Sequence, residues 1–303
     1  MAISGRSLNF DAPPMLRSGW TSIVARMARS ARGRFGIGIF VLIALFAVFG
    51  PALTPWTPDV IDWNAVGEDA SLRAPSLATG HPLGVDDLGR DLFARLAHGT
   101  QTSLTISCLA VAIAVICGTA YGAIAGYVGG VIDQVMMRIV DTLYALPMTF
   151  VLVVMVLLFG QATEVLFICI GGFSSLGLAR VVRGQTLVIK TQPYVEAAVI
   201  GGARPLDVVF THIVPNLLGL VAIYATILVP ELVFTESLIS FMGLGVQDPD
   251  VSLGVLISEG MSGLLFGISL HLACPLLMFV SVQVALYCIG DGLREASDVK
   301  GEG

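Results

Sequence analysis

Residues 96–132 read LAHGTQTSLTISCLAVAIAVICGTAYGAIAGYVGGVI, a run of 37 positions without one Asp, Glu, Lys or Arg. An ionised side chain costs roughly 2.5–3.5 kcal/mol at the centre of an inserted helix, and about 20 apolar residues cross a bilayer. This run therefore holds a transmembrane helix with length to spare. Four more charge-free stretches flank it: Phe35 to Pro58, Thr142 to Thr163, Val208 to Pro230 and Gly260 to Gly290. The first places eleven Leu, Ile, Val or Phe between Gly36 and Leu53. At about -0.3 to -0.6 kcal/mol each, these residues favour insertion by roughly 3–7 kcal/mol. The whole composition agrees, with 55% hydrophobic and 13% charged residues among 303 and a mean hydropathy of +0.87. Soluble domains carry about 25% charge. Disorder, a nucleic-acid binder and an ordinary cytosolic enzyme are excluded.

A sixth span is less plain, because Gly171, Gly172, Ser174, Ser175 and Gly177 dilute the run from Val165 to Ala179. A re-entrant segment is one reading. Small residues also let membrane helices approach closely, and Arg180 and Arg183 can snorkel to the headgroups, so a packed helix from about Thr163 to Val182 is the other. The positive-inside rule decides for six. With six spans, 13 of the 16 Lys and Arg fall on one side. The other three, Arg73, Arg90 and Arg95, share one segment with seven acidic residues.

The expected organisation is all-α and polytopic. A basic leader (1–35) is followed by a first transmembrane helix (36–54), an extracytoplasmic segment (55–100), a five-helix core (101–290) and a tail (291–303), with both termini cytoplasmic. The leader has no signal-peptide pattern and reads as the flank of an uncleaved anchor. Within it, Ile23, Val24 and Met27 against Arg26, Arg29, Arg32 and Arg34 fit a short amphipathic helix on the membrane surface, or equally a disordered basic flank. The five cysteines lie in or beside spans and read as small packing residues.

Catalytic patterns are missing. A phosphate-binding Walker loop needs Gly-Lys, and the two lysines, Lys190 and Lys300, follow Ile189 and Val299. His81, His98, His212 and His271 have no zinc spacing, and Asp86, Asp87 and Asp91 lack the alternation of an EF-hand. Among span carboxylates, Asp141 and Glu236 sit near predicted span ends and are expected to be solvated or capping. Glu231 follows Pro230, with Glu236 about 140° away around the helix, so the two form no pair on one face.

The polar loop from 183 to 216 is unlike a simple connector. Thr191 can cap a helix with Pro193 in its first turn; Tyr194, Val195, Ala198 and Val199 make an apolar stripe, and Gly201-Gly202 ends it. Pro205 starts a second short helix, expected to end before Pro215. A short helix held at the membrane face suits a partner's groove, or else lies on lipid.

Glu196-Ala197-Ala198, Gly202 six residues after the Glu and Pro215 thirteen after that resemble the E-A-A-x3-G-x9-I-x-L-P signature of ABC importer permeases. Two positions depart from it, His212 for Ile and Val214 for Leu. The stretch 81–93 (HPLGVDDLGRDLF) resembles the G-T-D-x-x-G-R-D motif of the dipeptide and oligopeptide permeases, with Val85 for Thr. Gly126-Tyr-Val-Gly-Gly, Arg180-Val-Val-Arg-Gly, 236–245 (ESLISFMGLG) and 290–296 (GDGLREA) extend the likeness along nearly the whole chain. Leu253-Gly254 stands where that family often has Trp-Gly.

This resemblance implies a six-helix type I ABC importer (MetI-like) permease fold in a bacterial inner membrane. It implies a second homologous permease, two ATPase subunits using ATP and Mg, an extracytoplasmic peptide-binding protein, and no cofactor, metal, nucleic acid or ATPase site in this chain. Glu196, Ala197, Ala198 and Gly202 would form the helix that couples to the ATPase, with Pro215 shaping the return to the membrane. Gly84, Asp86, Gly89, Arg90 and Asp91 would form an outer element meeting a partner, or else a local turn and helix cap through Asp87 or Asp91. Oligopeptides are the substrate implied; dipeptides, glutathione or nickel fit the same branch, and an ATP-independent carrier is the rival from another class.

Overall fold

A computed structural model describes residues 27, 29–66, 74–262 and 270–298. The amphipathic helix expected in the leader lies outside the described residues except for Met27 and Arg29 onward. No strand occurs among the described residues; three isolated bridges, Ile61 with Arg90, Ser76 with His81 and Val85 with Asp91, pin the segment before the second helix.

Helix α1 (Ala31–Phe49) is capped by the Ser30 hydroxyl, which accepts from Gly33 N at 3.4 Å, and it closes in a 3-10 turn at Gly50–Leu53. Helix α2 (Leu92–Val128) begins ahead of the long charge-free run and, at 37 residues, extends about 55 Å at 1.5 Å per residue. Its far end stops at Gly129, whose φ of 70° suits a residue without Cβ.

Where a single third span from Thr142 to Thr163 was expected, two helices meet at 87°: α3 (Gly130–Tyr144) and α4 (Met148–Phe159). Pro147, with φ -62° and ψ 127°, stands at the break, and a proline disfavours helical backbone in the residue before it. Among the described residues five helices are long and apolar enough to cross a membrane alone, and the bent pair makes six when it is taken as one span.

Helix α5 (Thr163–Ile189) outruns its expected end at Val182 by seven residues. Its arginines pair with carboxylates of α3. Arg183 clasps Asp133 of α3 with Nε to Oδ1 at 2.5 Å and a second nitrogen to Oδ2 at 2.6 Å, and Arg180 pairs with Asp141 at 3.0 Å. The small residues act as the close-packing reading requires. A Cβ on Gly171 would stand 2.5 Å from Ala110 O, and one on Gly122 2.4 Å from Ala179 O. Gly118, Gly122 and Gly126, one turn apart, form the α2 side of the most extensive helix pair in the fold.

After α6 (Pro193–Ile200) comes α7 (Pro205–Val208), and the expected stop before Pro215 is absent. A π-helical turn, Val209–Ile213, joins α7 directly to α8 (Val214–Phe241). Proline has no N–H to continue an α pattern, but it is tolerated in the first turn of a helix, and Pro215 takes that place. Helix α9 (Leu253–Met261) packs on α2, α8 and α10 (Leu270–Asp298). All five cysteines are free. Cys169 and Cys274 pack beside apolar clusters, whereas Cys108 and Cys117 are exposed and are not packing residues within this chain.

Candidate functional site

Helix α2 is flanked by Asp91 and Gly129, and expected functional residues gather at each of its ends. At the Gly129 end, Lys190 donates to Gly126 O at 2.9 Å, satisfying a carbonyl in the last turn of α2 and fixing the start of the loop. Helix α6 follows. Thr191 does not cap it: its hydroxyl turns back to Val188 O at 2.9 Å, and Gln192 occupies the cap position without a side-chain bond. Pro193 in the first turn needs no donor there.

The expected stripe on α6 divides. Val195 is 1% exposed and joins a cluster with Ala123, Leu178, Val182, Val208, Ile213 and Leu217, so one side chain seats α6 in the apolar cluster that α2, α5, α7 and α8 share. Tyr194 and Val199 are exposed, Ile200 is 87% exposed, and Ala198 is half-buried. Glu196 and Ala197 are exposed, and among the described residues Glu196 has no ion pair. Glu196, Val195 and Val199 line an open groove of about 650 Å³ with Tyr127, Lys190 and Pro205.

The helix closes in a Schellman motif, with Ala203 N donating to Ala198 O at 3.1 Å and Gly202 N to Val199 O at 3.0 Å. Gly202 has φ +80°, which a Cβ would oppose. The structure thus brings Glu196, Ala197, Ala198 and Gly202 onto one short, rigidly terminated helix. Pro215 lies on a different element, at the head of α8.

At the other end of α2, Asp91 is the cap, accepting from Ala94 N at 2.8 Å. It also receives His81 Nδ1 at 2.9 Å, while His81 Nε2 meets Asp62 at 3.3 Å and its ring stacks on Trp56 with centroids 4.6 Å apart. Gly84 and Gly89 take φ of 85° and 81°, shaping the turn that carries Asp86. Asp86 accepts from Arg90 N at 2.8 Å and Arg90 Nε at 2.7 Å, and it contacts the Arg95 guanidinium. Arg90 reaches on to Asp248 and Glu259, each at 3.1 Å, and Arg95 to Glu259 at 3.1 Å.

Burial alone would raise the Asp86 pKa, but the Arg90 N–H and the two guanidiniums outweigh it and hold the carboxyl below its ordinary value. Burial likewise opposes the charge on Arg90, and Asp86, Glu259 and Asp248 more than restore it. The cap reading is correct for Asp91; Arg90 does more, because it bridges residues far apart in sequence. Arg95, Asp248 and Glu259 escaped the sequence reading. The one signal was an Arg four residues inside a capped apolar helix, a position that demands carboxylates nearby.

Glu236 corrects an expectation. It is neither solvated nor a cap: fully buried on α8, it accepts from the Ser240 hydroxyl at 2.8 Å and the Ser237 hydroxyl at 3.1 Å. The buried Ser103 hydroxyl of α2 accepts from Leu253 N at 3.1 Å, joining α2 to the start of α9. Asp141 is exposed as expected, though paired with Arg180.

A sequence model of the family described as "binding-protein-dependent transport system inner membrane component" matches residues 118–298, more than half of the chain. The chain belongs to this family. A second match, to the N-terminal transmembrane domain of oligopeptide transport permease C, covers residues 18–75. The permease is 40% identical over 289 residues to the oligopeptide transport system permease protein OppC of Haemophilus influenzae, covering 94% of this chain and 89% of that one. It is 36% identical to the dipeptide transport system permease protein DppC of Bacillus subtilis (87% and 81% covered). It is 32% identical to the glutathione transport system permease protein GsiD of Pectobacterium atrosepticum (94% and 92% covered). The permease is an ABC transporter permease of the oligopeptide and dipeptide branch.

Proposed function

We propose that the chain is the transmembrane permease subunit of an ATP-binding-cassette importer that moves oligopeptides across a bacterial cytoplasmic membrane. Two separate ATPase subunits, using ATP and Mg, supply the energy; a homologous permease completes the pathway, and an extracytoplasmic binding protein delivers substrate. Both termini and α6 face the cytoplasm, in line with the 13 of 16 basic residues expected there.

The observation that carries this reading is α6. It is a short helix anchored by one buried residue, Val195, and closed by a Schellman turn, yet it leaves Tyr194, Val199, Ile200 and the Glu196 carboxylate uncovered. Exposed apolar side chains beside a lone acid suit an ATPase cleft better than lipid headgroups. Closure of the ATPase pair on ATP would displace α6, and through Val195 the ends of α2, α5 and α8, tipping the permease pair between inward and outward states. Oligopeptide is preferred over dipeptide, glutathione or nickel because identity is 40% to the oligopeptide permease of Haemophilus influenzae, against 36% to the dipeptide and 32% to the glutathione relative.

In the reconstituted complex, Glu196→Arg is expected to abolish substrate-stimulated ATP hydrolysis while the chain still inserts in the membrane. Unchanged transport in that variant would refute the role of α6. Transport by the chain purified without any ATPase would favour a carrier instead.

A further inference from the structure

One face of the membrane-spanning region carries polar groups that this chain leaves open. Glu231 is exposed on α8, yet the next residue, Leu232, is buried in a cluster with Ile106, Ala110 and Ile170. Glu231 is the eighteenth of the 28 residues of α8, within the middle third of that helix. Among the described residues Glu231 has no ion pair. Tyr224, seven residues earlier, lies two turns along the same face, roughly 10 Å away along the axis.

Tyr224 of α8 and Tyr144 of α3 both lie against Gly177 of α5. A Cβ on Gly177 of α5 would stand 3.2 Å from the Tyr224 hydroxyl and 4.0 Å from the Tyr144 ring, so that glycine leaves room for the two phenols to converge. The Arg180 guanidinium covers the Tyr144 ring at 4.3 Å and pairs with Asp141. Tyr144 remains 49% exposed, and the Asp141 side chain 60%.

An open carboxylate at this depth is not stable against lipid tails and requires water or a cation. We propose that this face is a wall of the substrate path and that Glu231 is a subsite for the free α-ammonium group of a peptide. The inference rests on the peptide-permease reading above. Arg180 is already matched by Asp141, so the unmatched charge on the wall is negative and selects an ammonium group. The Glu231-to-Tyr224 step equals about three extended residues, so a short peptide held at Glu231 lies along both phenols. Aromatic faces there make contact without reading side-chain identity.

The test uses the complete transporter in proteoliposomes, with the binding protein saturated by a tripeptide carrying either a free or an acetylated N-terminus. Wild type is expected to prefer the free amine. Glu231→Gln is expected to lower free-amine uptake roughly tenfold, leave acetylated uptake nearly unchanged and so erase the preference. Glu231→Asp is expected to keep the preference at a reduced rate, and ATP hydrolysis stimulated by the loaded binding protein checks assembly of both variants. Equal loss for the two peptides, which is the pattern of an ion pair with the partner permease, overturns the proposal, as does no loss for either. Failure of the wild-type complex to move any peptide with ATP overturns the permease reading itself, and this inference with it.

Discussion

The seam between α2 and α5 allows a paired prediction in which one chemical change has opposite effects at two positions. An alanine at Gly122 would put its Cβ 2.4 Å from Ala179 O and 2.9 Å from Val182 Cβ. Carbon and oxygen settle at about 3.3–3.6 Å, so the helices must part by roughly 1 Å. Tilting does not relieve this, because Gly118 and Gly126, one turn away on either side, are themselves only 2.8 Å from Ser175 O and Thr186 Cβ when a Cβ is added. A gap of 0.5–1 Å forfeits about a quarter to a half of each contact's attraction, and overpacking costs about 1–3 kcal/mol. Alanine returns about 0.5–1 kcal/mol of helix propensity, which leaves Gly122→Ala destabilising. At Gly172, on the same α5, an added Cβ meets nothing within 4 Å, so only the propensity gain remains. Thermal unfolding of the detergent-solubilised chain, followed by circular dichroism, is expected to show a lower midpoint for Gly122→Ala and an equal or higher one for Gly172→Ala. A Gly122→Ala midpoint at or above wild type would refute the close-packing argument.

The ion cluster around Asp86 gives two further predictions. Arg95→Met keeps the buried stem but removes a guanidinium whose residue is 1% exposed. Glu259, with its side chain 35% exposed, can be solvated in its place, so the cost is expected at about 2–3 kcal/mol, below that of a fully buried pair. The read-out is faster proteolysis within residues 54–91, and wild-type protection in the variant would count against the cluster. The pH response follows from Asp86, whose folded pKa lies below the ordinary 3.8. The unfolded segment binds more protons as pH falls, so this stabilisation is present above about pH 4 and lost only as pH drops through the lower folded value. Protection of the segment is therefore expected to hold from neutral pH to below 4; loss beginning near pH 6 would contradict the assignment.

What was legible in the sequence was whatever depended on neighbours along the chain. Charge-free length revealed the long helices because a bilayer penalises each ionised residue independently. The α6 terminus was legible because a Schellman turn is a local device, and Gly202 with φ +80° is the residue it requires. Local rules failed where two outcomes share one composition. Pro147 inside a charge-free run reads as part of a span, yet it turns the chain by 87°. Pro215 reads as a helix stop, yet a π-helical turn carries the chain through it into α8.

Long-range pairing was invisible. Arg90 finds Asp248 and Glu259 across 158 and 169 positions, and nothing local in either acid marks it as a partner. Glu236 and Glu231 make the point most directly, since both are acids on the same apolar helix. Their 140° separation excluded a pair, but only tertiary structure shows that one turns inward to two serine hydroxyls and the other outward at mid-depth. The inward carboxylate is satisfied within the chain and accounts for packing. The outward one has no ion pair among the described residues, and a charge inside a membrane has to be answered by water, a cation or a partner.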